Sequence, residues 1–163
     1  MKRGRALLAT AVFLCLAPGT VSGLIPFWIS RWQFEPPFFG LEPVRWFGVL
    51  LIVLATLVLL ESFARFALEG LGTPAPVLPT QYLVIKGFYR YVRNPMYVAV
   101  ISIIVGQSLL VGNGSLLVYA AIVSAGFLGF VLLYEEPKLR KTYGAEYEAY
   151  CAEVPRWIPR ITY

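Results

Sequence analysis

The chain has 163 residues, enough for one domain, with 58% apolar and only 14% charged residues, a balance too apolar for an ordinary soluble domain of this size. It contains no histidine and no aspartate, which excludes a Ser-His-Asp triad, a His-ligated metal and an H-E-x-x-H site. The net charge of +5 needs no nucleic acid as partner, because the basic residues follow a membrane pattern.

Residues 6–29, 46–60, 96–111 and 116–134 carry no charge. Runs of about 17–25 apolar residues cross a bilayer core, so four membrane helices are predicted. The first holds Pro18-Gly19 and Pro26 and is expected to be kinked or split. Its Lys2-Arg3-Gly4-Arg5 start and the small residues Val21-Ser22-Gly23 also resemble a cleaved signal peptide, but the apolar run resumes through Ile29. Residues 30–43, with Trp32, Phe34, Phe38, Phe39 and three prolines, read as an aromatic interfacial loop.

The second span is predicted from near Val44 to about Leu68. Glu61, Arg65 and Glu69 repeat every four residues on one face of its end. They read either as an i,i+4 ion-pair ladder or as the polar wall of a site, since a carboxylate within a span is a functional candidate. Three prolines between Gly70 and Thr80 rule out a regular helix there, and residues 81–86 suit a short extended piece. Asn94-Pro95 reads as N-cap and first residue of the third span. That span is short: 16 charge-free residues give roughly 24 Å. Gly112-Asn113-Gly114 is a tight turn, so spans three and four are antiparallel neighbours. Beyond Pro137, Leu139, Tyr143, Tyr147, Tyr150 and Val154 recur at helical spacing, which predicts an interfacial helix serving as a surface anchor or as a lid. With both termini cytoplasmic, twelve of the fourteen basic residues fall on one side, which fits a multi-pass cell-membrane protein (inner membrane if bacterial). Cys15 and Cys151 form neither a disulfide framework nor a zinc spacing, so no metal is expected.

The chemistry concentrates where the hairpin returns. The positive end of span three, with Arg93, meets the negative end of span four, with Glu135 and Glu136. Paired acids at a helix C-terminus demand cations. Arg90, Arg93, Lys138 and Arg140 can supply them as a purely structural cluster. A zwitterionic ligand is the alternative: its anionic group on the helix start and Arg93, its ammonium or sulfonium on Glu135 or Glu136, and its cation faced by Tyr89, Tyr91 and Tyr97. S-adenosylmethionine fits this description, as do other zwitterions.

The joint pattern Gly72-Thr73-Pro74-Ala75-Pro76, Gly87-x-Tyr89-Arg90-x-x-Arg93-Asn94-Pro95-Met96-Tyr97, Glu135-Glu136-Pro137-x-Leu139, Tyr143-Gly144-x-x-Tyr147-x-x-Tyr150 and Val154-Pro155-Arg156 resembles the isoprenylcysteine carboxyl methyltransferase and phospholipid methyltransferase family over residues 70–160. The resemblance implies an all-α, polytopic membrane enzyme with about four transmembrane helices, a helical hairpin and a cytoplasmic interfacial C-terminal helix. Residues 1–163 would form one domain: 1–69 the first two spans, 70–163 the cofactor-binding loop, hairpin and tail. It further implies methyl transfer from S-adenosylmethionine, by direct displacement at the cytoplasmic face, to a lipophilic or small acceptor: an isoprenylcysteine carboxylate, a phospholipid amine or a thiol. Carried over, Gly87, Tyr89, Arg93, Asn94, Pro95 and Tyr97 bind the cofactor with Glu135 and Glu136 opposite, and Glu135, Glu136 and Arg156 are the candidate catalytic residues. Many members have histidine where Asn94 stands; Asn94 hydrogen-bonds but does not titrate. A membrane reductase of the sterol type, using a nicotinamide cofactor, and a non-enzymatic membrane scaffold are the competing readings.

Overall fold

The computed structural model describes residues 3–69 and 82–160. The expected irregular path over 70–80, with its Gly72–Pro76 part of the motif, lies outside the described residues. Among those described there are helices and turns but no strand. Helix α1 (Arg3–Gly19) runs through a π turn (Thr20–Leu24) into α2 (Ile25–Ser30); α3 is Pro43–Leu68, α4 Pro95–Val111 and α5 Gly114–Phe130. A second π turn (Val131–Glu135) joins α5 to α6 (Glu136–Tyr143), and α7 (Ala145–Glu153) follows. Three helical stretches, Leu8–Ser30, Pro43–Phe66 and Gly114–Tyr143, are long and apolar enough to cross a membrane, and Pro95–Val111 is a shorter apolar helix. The four predicted spans are thus present as helices, and together they make an all-α membrane fold.

The first span is neither split nor sharply broken. Its prolines are absorbed by a change of register. Ile25 donates its N–H to Thr20 rather than Val21, and Pro26 has no N–H to give Ser22. Two carbonyls are therefore released inside the membrane, where an unpaired backbone group is costly. Both are recaptured from other helices: the Tyr119 hydroxyl donates to Val21 O at 2.9 Å and the Gln107 amide to Ser22 O at 2.6 Å. The Trp32 indole in turn donates to Gln107 Oε1 at 3.1 Å. A change of register demanded by the local sequence thus pins this span to α4 and α5.

Helices α3 and α4 form the most extensive pairing, and they cross at Gly48 and Gly106, where a side chain on either would strike the other's backbone. The hairpin turn forms as expected. Gly112 ends α4 with its N–H on Ser108 O, and the Asn113 side chain caps α5 by accepting from Ser115 N at 3.0 Å. The 31–42 loop is tied to this turn through Glu35 N–H to Val111 O and Arg45 to Leu110 O. Below it the core closes around Leu59, Ile103, Ile104 and Ala120. At the opposite end α1 packs chiefly on α3, while α2 packs on α4 and α5. The bundle therefore diverges away from the hairpin turn, toward the end where α3 stops and α4 begins.

The tail differs in one respect from the expected separate helix beyond Pro137. Span four does not stop there; the π turn accommodates the proline and the helix continues to Tyr143. The break comes at Gly144, whose φ of 53° and ψ of −124° suit a residue without Cβ.

Candidate active site

At the diverging end, α3 stops, the chain returns through a 3₁₀ turn (Gly87–Arg90), and α4 starts at Pro95. Helix α7 and the segment after it fold back across this return. Arg93 N–H donates to Pro155 O at 2.9 Å and Arg160 N–H to Tyr91 O at 3.0 Å. The Asn94 amide donates to Arg156 O at 3.1 Å, and the Tyr150 hydroxyl to Tyr89 O at 2.7 Å. Asn94 thus stands at the N-cap position of α4, but its side chain does not cap; it holds the tail.

Beneath this strap is a cavity of about 370 Å³. Its polar end is lined by Tyr89, Arg93, Asn94, Tyr97, Glu135 and Glu136, and is roofed by Tyr143, Tyr147 and Tyr150. Its apolar end runs between α1 and α5, from Phe13 to Val21 on one side and Phe127 to Val131 on the other. The two stretches singled out in the sequence therefore do meet at one cavity. Of Leu139, Tyr143, Tyr147, Tyr150 and Val154, predicted as one face of an interfacial helix, the first four line it and Val154 does not.

The two adjacent acids separate into different environments. Glu136 is 3% exposed and surrounded by guanidinium groups. Arg156 grips it with both ends, Nε to Oε1 at 2.6 Å and Nη2 to Oε2 at 3.0 Å. Arg93 Nη1 lies at 3.3 Å and Arg140 Nη1 at 3.9 Å. Glu135 instead pairs with the Tyr97 hydroxyl at the cavity wall. Arg93 also contacts Cys151 Sγ, and its Nε is buried without a partner. That leaves one guanidinium donor unspent, although the rest of the group is engaged. Burial raises the Tyr89, Tyr147 and Tyr150 hydroxyls above their usual range, so these three rings stay neutral at neutral pH. The hydrogen bonds that Arg156 donates to Glu136 hold its guanidinium firmly protonated.

Not every candidate residue lines the cavity. Pro95 is fully buried at the first turn of α4. Arg156 is turned to Glu136. Gly87 lies behind the wall with φ +61°, its Cα hydrogens facing the Glu61 carboxylate. The Glu61–Arg65–Glu69 ladder forms as drawn from the spacing, with N–O distances of 2.7 and 2.6 Å. Sequence reasoning missed the contribution of α1, through Phe13, Ala17, Pro18 and Val21. The signal was present in Pro18 and Pro26, which steer that span, but its target was not. Among the described residues there is no cluster of acidic, Cys or His side chains placed to hold a metal.

The Protein-S-isoprenylcysteine O-methyltransferase of Schizosaccharomyces pombe is 35% identical over 79 residues, which is 48% of this chain and 34% of that protein. This chain thus matches about a third of the length of that relative. The family model described as phospholipid methyltransferase matches residues 44–146, from the first turn of α3 to the start of α7. With more than half of its length and most of its cavity wall inside that match, the chain belongs to the phospholipid methyltransferase family.

Proposed function

We propose that this protein transfers a methyl group from S-adenosylmethionine to a membrane-accessible acceptor, at a site opening toward the cytoplasm. The observation that carries the reading is the cavity itself: one space of about 370 Å³ joins a charged, tyrosine-rich end to an apolar end inside the bundle. A polar cofactor and a lipophilic acceptor both require such a junction.

The residues present fit the cofactor. Arg93, which lines the cavity and keeps one guanidinium donor unspent, is the partner for its carboxylate. Glu135 is an acceptor for its ammonium, and the rings of Tyr89, Tyr97 and Tyr147 offer faces that attract a sulfonium. When bound, S-adenosylmethionine supplies an electrophilic methyl group on a positively charged sulfur. The chain's own part is alignment and exclusion of water. The α7 strap roofs the polar end, the α1–α5 wall receives the acceptor's apolar part, and Glu135 takes the proton where the acceptor is an amine. Glu136 holds Arg93, Arg140 and Arg156 in place and is not spent on the ligand. The positive-inside pattern supports placing the strap and both termini in the cytoplasm.

The test is calorimetry on the purified full chain in nanodiscs. S-adenosylmethionine should bind and NADPH should not compete; binding of NADPH alone would favour the reductase reading, and binding of neither would sink the enzyme. Labelled methyl counted in lipid extract against protein then separates the acceptor classes.

A further inference from the structure

We propose that Glu61 is a positioning residue for the cofactor site, acting as a wedge under the Gly87 turn; this rests on the methyltransferase reading above. The sequence leaves Glu61 between two roles, a ladder rung and a site wall. The structure offers three facts that a ladder does not require. First, Gly87 has φ +61°, and a Cβ built there would overlap Glu61 Oε1. The carboxylate therefore occupies the volume a side chain at 87 would take. Second, Glu61 Oε2 is buried without a hydrogen-bond partner, an arrangement with a cost that a solvent-facing rung avoids. Third, α3 reaches the same turn again one helical turn on, where the Phe66 ring lies 5.5 Å from that of Tyr89.

The mechanical sequence is short. Arg65 Nε holds Glu61 Oε1 at 2.7 Å and so fixes the carboxylate's direction. The carboxylate sets the height of Gly87. Two residues later the 3₁₀ turn delivers Tyr89, 6% exposed, to the cavity wall, where the Tyr150 hydroxyl takes its carbonyl from the tail side. Tyr89 is thereby gripped between α3 and α7. Glu69 makes the other rung on Arg65, and the atoms nearest a Cβ at Gly87 are all from Glu61, which makes Glu69 an internal control.

The experiment uses the full chain in nanodiscs with two readouts: affinity for S-adenosylmethionine by calorimetry, and amide exchange over residues 86–93 without ligand. Glu61→Ala should weaken binding about tenfold, a cost near that of one lost positioning contact, and speed exchange in the turn. Glu61→Gln keeps an oxygen under Gly87 and should retain most of the affinity. Glu69→Ala should change neither readout. Gly87→Ala should be severe with Glu61 present, roughly a hundredfold, and much milder in the Glu61→Ala background, where only the positive-φ strain remains. Equal effects of Glu61→Ala and Glu69→Ala, or an unchanged cost of Gly87→Ala in the two backgrounds, would overturn the proposal. If the wild-type chain does not bind S-adenosylmethionine, the methyltransferase reading falls, while the exchange comparison still decides whether the wedge exists.

Discussion

Thr20–Leu24 and Val131–Glu135 are both π turns that end two residues before a proline, Pro26 and Pro137. Both arise because a helix that meets a residue without an N–H can widen by one residue rather than break. From there they diverge. The carbonyls freed by the first are taken by Gln107 and Tyr119, next to a closed core. The second delivers Tyr134 and Glu135 to the cavity and Glu136 to three arginines. The same backbone device serves as a fastening where neighbouring helices supply neutral donors. Where the helices diverge and the neighbours are charged, it shapes the polar end of a cavity. The lesson is that what a π turn does depends on what surrounds it.

That contrast can be tested from both sides. The largest effect should come from Glu136→Ala, which leaves Arg93, Arg140 and Arg156 without their shared buried partner. Removing one side of a buried ion network costs about 3–5 kcal/mol, seen as a large fall in thermal stability together with loss of cofactor binding. Glu135→Gln should spare the fold instead. Stability should hold within about 0.5 kcal/mol, while cofactor affinity weakens through loss of the ammonium's anionic partner and transfer to an amine acceptor falls on the order of a hundredfold through loss of the proton acceptor. If the two substitutions behave alike, the division of labour between the adjacent acids is wrong.

At the first π turn the effects should be on stability alone. Gln107→Leu strands the Ser22 carbonyl and should cost about 1–3 kcal/mol, with cofactor affinity unchanged. Tyr119→Phe, which removes one hydroxyl from Val21 O, should cost about 1 kcal/mol or less. A change in cofactor affinity from either would show that the fastening and the site are coupled. The smallest effect expected is alkaline. Burial raises the Tyr147 and Tyr150 hydroxyls in the folded chain above their ordinary value of 10. The unfolded chain therefore loses these protons first, and their contribution, complete below pH 10, declines as pH rises above it. The strap should loosen in that window, read as faster amide exchange in residues 145–153.

Much of this was legible in the chain. Long uncharged runs can satisfy their backbone groups in lipid only as helices, so the spans declared themselves. Gly112-Asn113-Gly114 declared the hairpin because few residues tolerate so tight a return. The clustering of Arg93 with Glu135 and Glu136 followed, since a hairpin must bring its two open ends together. Within that cluster the sequence was silent on which acid meets the arginines. Adjacent helical residues point about 100° apart, and a π turn resets that direction by an amount no local pattern records.

The chain alone determined that there are four apolar helices, where they turn, and that opposite charges gather at one end, because hydrophobicity, glycine and proline act over a few residues. Only the packed bundle decided that Glu136 is enclosed by arginines while Glu135 lines the cavity beside Tyr97, that Phe13 and Val21 join the cavity wall, and that Glu61 lies against Gly87. Those contacts link residues that are distant in the chain, and their geometry is fixed by how whole helices lean against one another.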